Sequence, residues 1–379
     1  MAKGINLTLK IGANNNTKPA SRELMEALDS VEVTHNDTGR SGFQIVFAVG
    51  RSGNKDQKDY KLLRNSLLKP FNRVILIVTF NAKPKILLDG IITNQQLAAS
   101  NEPRGSTLTV TGEDVSVMMD LEEKSAEHPQ QDEATISRML ISKYSKYGMI
   151  PQVAKPSLKE RPTKNERVPV QQGTDLQYIK QLAERFAYVF YVEPGPASTK
   201  NIAYWGPPRK GTKVQKALSV NMGSFTNVDS LNFQNNALAA TTVAGKVQDR
   251  KNNRIQKLRD ETSDRPALAQ KSALKSQAKV RVKQFRETGR STAQARSFAQ
   301  ATIDRSIDDV VTVTGQLDSV RYGGLLEVRE KVGLRGAGYS YDGLYYVKSV
   351  THKIRKGEYK QSFTITREGV GTTVRGVKI

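Results

Sequence analysis

At 379 residues with 37% hydrophobic content the chain is long enough for two or three domains, and the absence of cysteine excludes a disulfide framework and thiol chemistry. Its 59 Lys and Arg against 37 Asp and Glu leave a net charge of +22, a field that attracts polyanions and opposes self-association. The first residues lack the apolar stretch of a signal peptide, and the longest apolar run, residues 74–80, is too short to cross a bilayer, so neither a leader nor a membrane-spanning segment is expected.

Residues 5–11 alternate, with Ile5, Leu7, Leu9 and Ile11 set against Asn6, Thr8 and Lys10, which is the period of a half-buried strand. Asn14, Asn15 and Asn16 read as a turn. Residues 31–35 and 43–47 read as a hairpin, with Phe43, Ile45 and Phe47 on one face, and 51–59 as a polar loop. A fully apolar strand at 74–80, a turn at Lys83 and Pro84, a returning strand at 86–93 and an alternating strand at 106–111 follow. Six or so short strands in about 110 residues predict a barrel or sandwich.

The texture changes near residue 115. Residues 132–147 carry Ile136, Met139, Leu140 and Tyr144 on one helical stripe, with Gly148 as the stop. Residues 151–169 are polar and proline-punctuated and read as a loop. Thr174 and Gln177 form a capping box that opens a helix through Ile179, Leu182, Ala183 and Phe186, and a strand at 188–192 follows directly. Residues 230–246 read as a strand pair. From 246 to 300 there are 15 Lys and Arg against 5 Asp and Glu. In this tract 271–287 and 292–307 look helical, the second with Ala295, Phe298, Ala299, Thr302 and Ile303 on its apolar side. The tract reads either as a solvated excursion or as a contact with acidic neighbouring subunits or negatively charged cargo.

The last fifth reads as four strands, at 310–314, 325–328, 345–350 and 359–366, joined through Gly323-Gly324, Gly336-Ala337-Gly338, Asp342-Gly343 and Lys356-Gly357. Strands this short and this tightly joined predict a small closed barrel or pairing with another chain.

Three stretches carry a family resemblance. The helix and strand at 174–192 are similar to the S-D-x-x-F-I-x-x-L-A-x-R-x-G-Y-x-F-x-V pattern of hub and type VI spike proteins, with Ala187 in place of the usual glycine. The closing strands resemble the C-terminal barrel of the phage late-control D family, with Tyr345, Val347, Val350, His352, Tyr359, Phe363 and Arg367 in register. Leu88-Asp89-Gly90-Ile91-Ile92 and Val110-Thr111-Gly112-Glu113-Asp114 take the places of that family's N-terminal tube-type barrel, Leu88 standing where an aromatic is frequent.

The resemblance implies a mainly β fold with α+β insertions: two tail-tube-like β-barrels plus an inserted helical or mixed domain. The expected bounds are 1–118 for the first barrel, 119–224 for the α+β insertion, 225–248 with 305–370 for the second, discontinuous barrel, and 249–304 for a basic, helical or flexible excursion. It further implies a trimeric baseplate hub that joins a six-fold inner tube protein to a three-fold spike, in contact with other baseplate components, with DNA or effector cargo passing through its bore. Because residue 379 falls soon after the second barrel, the spike is expected to be a separate polypeptide. Assembly in the bacterial cytoplasm, as part of a phage tail or injection particle, belongs to the same expectation.

No catalytic, cofactor-binding or metal-ligating residue emerges, and an enzyme is not expected. His35, His128 and His352 are scattered along the chain. The glycine-rich 332–338 does not join a strand to a helix, as a phosphate-binding loop would. Glu122-Glu123 and Asp308-Asp309 read as solvated or capping residues, and His352 as packed or at the surface. The alternative reading is a basic nucleic-acid-binding protein that uses 246–296, although its basic residues are not interleaved with the aromatics on which bases stack.

Overall fold

The computed structural model describes residues 5–50, 59–102, 105–156, 168–208, 213–249, 253–286 and 291–373. The period-two segments at the start become strands β1 (Ile5–Ala13), β2 (Leu28–Asn36), β3 (Gly42–Ala48), β4 (Asn72–Phe80), β5 (Lys83–Ala98) and β6 (Thr107–Asp114). All pair antiparallel, in the order β2-β3-β6-β5-β4-β1. Leu108 and Val110 of β6 point into an apolar core with Phe43, Ile45, Phe47, Val74 and Leu76, while Thr107, Thr109 and Thr111 face outward. Gly112 lies where β3, β5 and β6 crowd together. A Cβ there would sit 2.1 Å from the Ile91 carbonyl oxygen and 2.5 Å from the Phe43 ring. Gly112→Ala should therefore cost about 1–3 kcal/mol by overpacking, seen as a lower urea midpoint with unchanged slope.

The chain then leaves this sheet. Strand β7 (Glu123–Glu127) pairs with β9 (Val170–Thr174), and β8 (Met149–Val153) lies parallel to β11 (Asn201–Gly206), which pairs with β10 (Val189–Pro194). Part of the loop expected at 151–169 is thus a strand, held by its ladder to β11; residues 157–167 lie outside the described ones. Helix α1 (Glu133–Ser142) is capped by Asp132, whose Oδ1 accepts from the Thr135 amide at 2.7 Å. Gly148 follows at φ +81°, and a Cβ there would strike the Thr199 carbonyl oxygen at 1.8 Å. Helix α2 (Asp175–Glu184) opens on the capping box: the Gln177 amide donates to Thr174 Oγ1 at 3.1 Å, and the Thr174 amide donates to Gln177 Oε1 at 3.3 Å. The fully buried Trp205 of β11 donates its indole N–H to the Ile179 carbonyl at 3.2 Å, fixing α2 on its sheet. Ala187 has φ +50°, so the position where the related pattern has glycine is left-handed here too.

Strand β12 (Val214–Ser219) returns to the main sheet beside a later strand, and β13 (Ser230–Asn235) joins its edge. Strand β14 (Thr241–Gln248) belongs elsewhere: it is the centre of a three-stranded sheet between β15 (Ile255–Asp260) and β16 (Arg281–Phe285). So 230–246 holds two strands that pair with other partners, not with each other. The expected helix at 271–287 is reduced to a single turn, Ala273–Ser276, because β16 pairs along β14. The second expected helix forms as α3 (Thr292–Asp308), on a capping box of Ser291 and Gln294, and packs Ala295, Ala299 and Ile303 on Val243, Val247 and Leu258.

The last fifth supplies β17 (Val311–Asp318), β18 (Lys331–Arg335), β19 (Gly343–Arg355) and β20 (Glu358–Arg367). Residues 325–328, read as a strand, are not one. Side-chain amides take up their backbone groups instead: Gln361 bonds both the amide and the carbonyl of Leu326 at 2.9 Å, and the Glu327 amide donates to Gln215 Oε1 at 2.7 Å. The fold is mainly β with α+β segments set into it. The two expected barrels are joined in one thirteen-stranded sheet, which β19 continues into β2. Among the described residues no strand pair closes either half into a barrel.

Candidate functional site

The feature that this topology builds is an outward sheet face eight strands wide, in the order β13-β17-β20-β19-β2-β3-β6-β5. Every neighbouring pair in it is antiparallel. Because the inward positions are apolar, the alternation leaves a polar face outside. One cross-strand row runs Ser230, Gln316, Ser362, Thr351, Thr34. The next runs Asn232, Thr314, Thr364, Ser349, Asn36. Both cross the junction between β19 and β2 without a break, and there Thr34 Oγ1 and Thr351 Oγ1 stand 3.0 Å apart. A third row, Asp318, Lys360, Lys353, Glu32, Gln44, Thr111, Asn94, places two lysines between two carboxylates. These rows are mostly hydroxyl and amide, and their charges compensate. The chain's basic excess is not gathered in them.

Beneath the junction lies a buried polar cluster. The rings of His35 and His352 meet edge to face at 5.4 Å. His35 Nδ1 lies 3.1 Å from Ser41 Oγ, and His352 Nδ1 lies 2.9 Å from the Tyr359 hydroxyl. Burial, with Arg329 and Lys85 adding to it, lowers the His35 pKa to about 3. Burial and the neighbouring His35 hold His352 well below the ordinary imidazole value. The two histidines, far apart in sequence, are therefore neighbours. No carboxylate bonds to either ring, and no group of three metal-ligating side chains occurs among the described residues. His128 stacks on Tyr178 at 5.6 Å in the middle of the chain.

Two buried arginines fix the rest of the chain to this sheet. Arg73 of β4 makes a bidentate pair with Asp89 of β5 at 2.6 and 2.7 Å and donates to the Tyr147 carbonyl at 3.0 Å. Asn201 of β11 donates to Asp89 at 3.0 Å. Arg329 lays its guanidinium 3.6 Å above the Tyr191 ring of β10, stands 3.6 Å from Glu193, and donates to the Asn36 carbonyl of β2. Arg367, one of the positions in register with the late-control D pattern, is fully buried over Tyr345 and donates to the Asp342 and Ser340 carbonyls at 3.0 and 2.6 Å. Sequence reasoning passed over Arg73 and gave Asp89 no role beyond its place in the tube-barrel motif, although a charged residue flanked by apolar ones, as in Arg73-Val74-Ile75 and Leu87-Leu88-Asp89, is the available signal. Of the paired carboxylates, Glu122 bridges to Lys124, Asp308 to Arg265 and Asp309 to Lys348.

The sequence matches the family described as the Alg8 N-terminal domain over residues 28–356. The chain belongs to the Alg8 N-terminal domain family. The late-control D family, which its motifs resemble, is not the one matched. No curated protein is similar in sequence. Among solved structures, this Alg8 N-terminal domain chain is similar to a tail protein from Neisseria meningitidis MC58, at TM-score 0.65 and 11% identity over 96% of this chain and 98% of that one. A 43 kDa tail protein of prophage MuSo2 from Shewanella oneidensis aligns at TM-score 0.62 and 10% identity, over 96% of this chain and 99% of that one. An Escherichia coli component of the type VI secretion system, described as structurally similar to T4 bacteriophage tail proteins, aligns at TM-score 0.55 and 10% identity, over 90% of this chain and 73% of that one. The Alg8 N-terminal domain chain thus has the fold of phage tail proteins and of their type VI counterparts.

Proposed function

We propose that the chain is a structural hub subunit of a phage tail or contractile injection particle, three copies of which form a ring between a six-fold tube and a three-fold spike. The observation that carries this reading is a repeat in the outward face. Its first half, β2-β3-β6-β5, takes strands in chain order first, second, fourth, third; its second half, β13-β17-β20-β19, does the same. The two halves follow each other in tandem along the strip. Three copies would present six such four-stranded units, which is how threefold repetition can meet sixfold symmetry.

The junction inside the chain supports a way for copies to join. Strand β19 pairs with β18 through Gly343 to Tyr346 and with β2 through Ser349 to Arg355. Strand β5 is built alike: Lys83 to Ile91 pair with β4, but beyond them β5 pairs with β6 alone, among the described residues. At the other end β13 pairs, among the described residues, with β17 alone. With eight alternating strands, the open part of β5 in one copy meets β13 of the next antiparallel, as β19 meets β2 internally. At a strand spacing of about 4.8 Å each strip is ~38 Å wide, and three closed into a ring enclose a bore roughly 35 Å across between backbones. The polar rows would line it. In this reading the partners are the tube protein, a separate spike and other baseplate components, with cargo in the bore, and the role is not enzymatic. The tandem repeat supports two barrel-type units around an insertion, the second drawing on β13, β17, β20 and β19, whereas β14, inside the expected 225–248, stands in its own sheet and β12, inside the expected 119–224, pairs in the main one.

Because the chain has no cysteine, crosslinking tests this directly. Gln96→Cys combined in turn with Ser230→Cys, Asn232→Cys or Gln234→Cys places both thiols on the bore side in three registers. Under mild oxidation at least one pair should give linked species that stop at three chains. Monomers with all three pairs, or a ladder that passes three, would remove the ring.

A further inference from the structure

The small sheet β15-β14-β16 has one face covered by α3, and its other face bears an arrangement that a solvated excursion does not require. Lys246 of β14 lies directly opposite Lys257 of β15, and Arg259 follows on the same face, paired at 2.6 Å with Glu261. Both lysines are exposed and have no acidic partner among the described residues. Like charges set directly opposite each other across a ladder oppose pairing. On the same face stand two exposed apolar side chains, Ile255 at 69% and Val282 at 57% exposure. Strands β15 and β16 each pair only with β14 among the described residues, so both outer edges are open.

Lysine on an open edge is ordinarily a guard against unwanted pairing. Two facts stand against that role here. Lys246 is on the central strand, where no edge needs guarding, and Ile255 and Val282 invite association rather than prevent it. Nucleic acid is the other polyanion to consider, but this face carries no aromatic ring on which a base would stack.

We infer that β15 is a docking edge for an extended, acidic segment of a partner protein, which adds as a fourth strand. Backbone bonds along Ile255–Asp260 give the attachment. Alternate side chains of the incoming strand lie beside Ile255, Lys257 and Arg259, so the matching pattern is one apolar and two acidic residues at every second position. Lys246, one strand further in, reinforces the preference for acid. The surface lies on none of the eight strands of the outward face, so it stands whether or not the ring does.

The test uses the full chain and a fluorescent ten-residue peptide in which Glu alternates with Thr and Val, with a Lys-for-Glu peptide and an oligo-dT of matched charge as controls. In low salt the acidic peptide should bind saturably and slow amide exchange within 255–260. Lys246→Glu with Lys257→Glu should weaken binding at least tenfold while leaving the thermal midpoint nearly unchanged, since one exposed like-charge pair replaces another. Failure of the peptide to saturate, binding indifferent to the charge reversals, or protection falling outside 255–260 would each overturn the proposal. Tighter, reversal-sensitive binding of oligo-dT would overturn it in favour of nucleic acid.

Discussion

Arg73→Ala should lower the unfolding free energy by about 3–5 kcal/mol, as expected when one partner of a buried ion pair is removed and the other charge stays behind. Arg73 and Asp89 are 1% and 2% exposed at their side chains, so solvent cannot take over the role of the missing partner. The Asp89 carboxylate would keep only Asn201 as a donor, and the Tyr147 carbonyl would lose its own. The damage should therefore reach past β4 and β5 to the turn after α1 and to β11. Replacing both members with apolar residues of similar volume, Arg73→Met with Asp89→Leu, should cost far less than the single change, because no charge is stranded. Urea unfolding of the three chains measures this. A single-variant loss below about 1 kcal/mol, or a double variant no better than the single, would show that the pair does not hold the two regions together.

The second large effect is acid lability at the junction. His35 and His352 are neutral in the folded chain because burial disfavours their charged forms, and both must take up protons on unfolding below the ordinary imidazole pKa of 6.5. The stability they leave intact is fully present above pH 6.5 and is lost as pH falls toward the folded value of about 3 for His35. His35 should contribute a loss of about 1.4 kcal/mol per pH unit over that window, and His352 adds to it in the same direction. Asp37 works the other way: burial raises its pKa to about 6, so acidification relieves a buried charge there. Comparison with His35→Gln, which retains a partner for Ser41, isolates the histidine. The unmodified chain should lose at least about 1.4 kcal/mol more than the variant between pH 6.5 and 4.5. Parallel curves would mean that His35 does not titrate on unfolding.

Much of the strand content was legible, because alternation such as Leu108 and Val110 against Thr107, Thr109 and Thr111 has a single cause. So was the capping box at Thr174, a purely local device. The failures share a reason: distant partners decided them. Leu325 to Val328 is apolar enough for a strand, yet Gln361 and Gln215 supply its backbone bonds from elsewhere in the chain. Residues 281–285, where Arg281, Lys283 and Gln284 are good helix formers, suit a helix until β14 offers a ladder. The polar rows were half visible. Each threonine could be assigned an outward face, but which one stands beside which depends on a strand order that skips and returns, and on a junction between residues as remote as Thr34 and Thr351. The same remoteness hid the histidine pair.

That junction also sets the order of events in the cell. Thr34 and Thr351 are 317 positions apart, so a ribosome working at about 5–20 residues per second needs ~15–60 s between delivering one side and the other. For that interval β2 stands as a bare edge on a half-built sheet, the kind of surface that recruits wrong partners. The nascent chain therefore has a built-in waiting period, and a chaperone that shields β2 until the last fifth emerges would act at the point of greatest exposure.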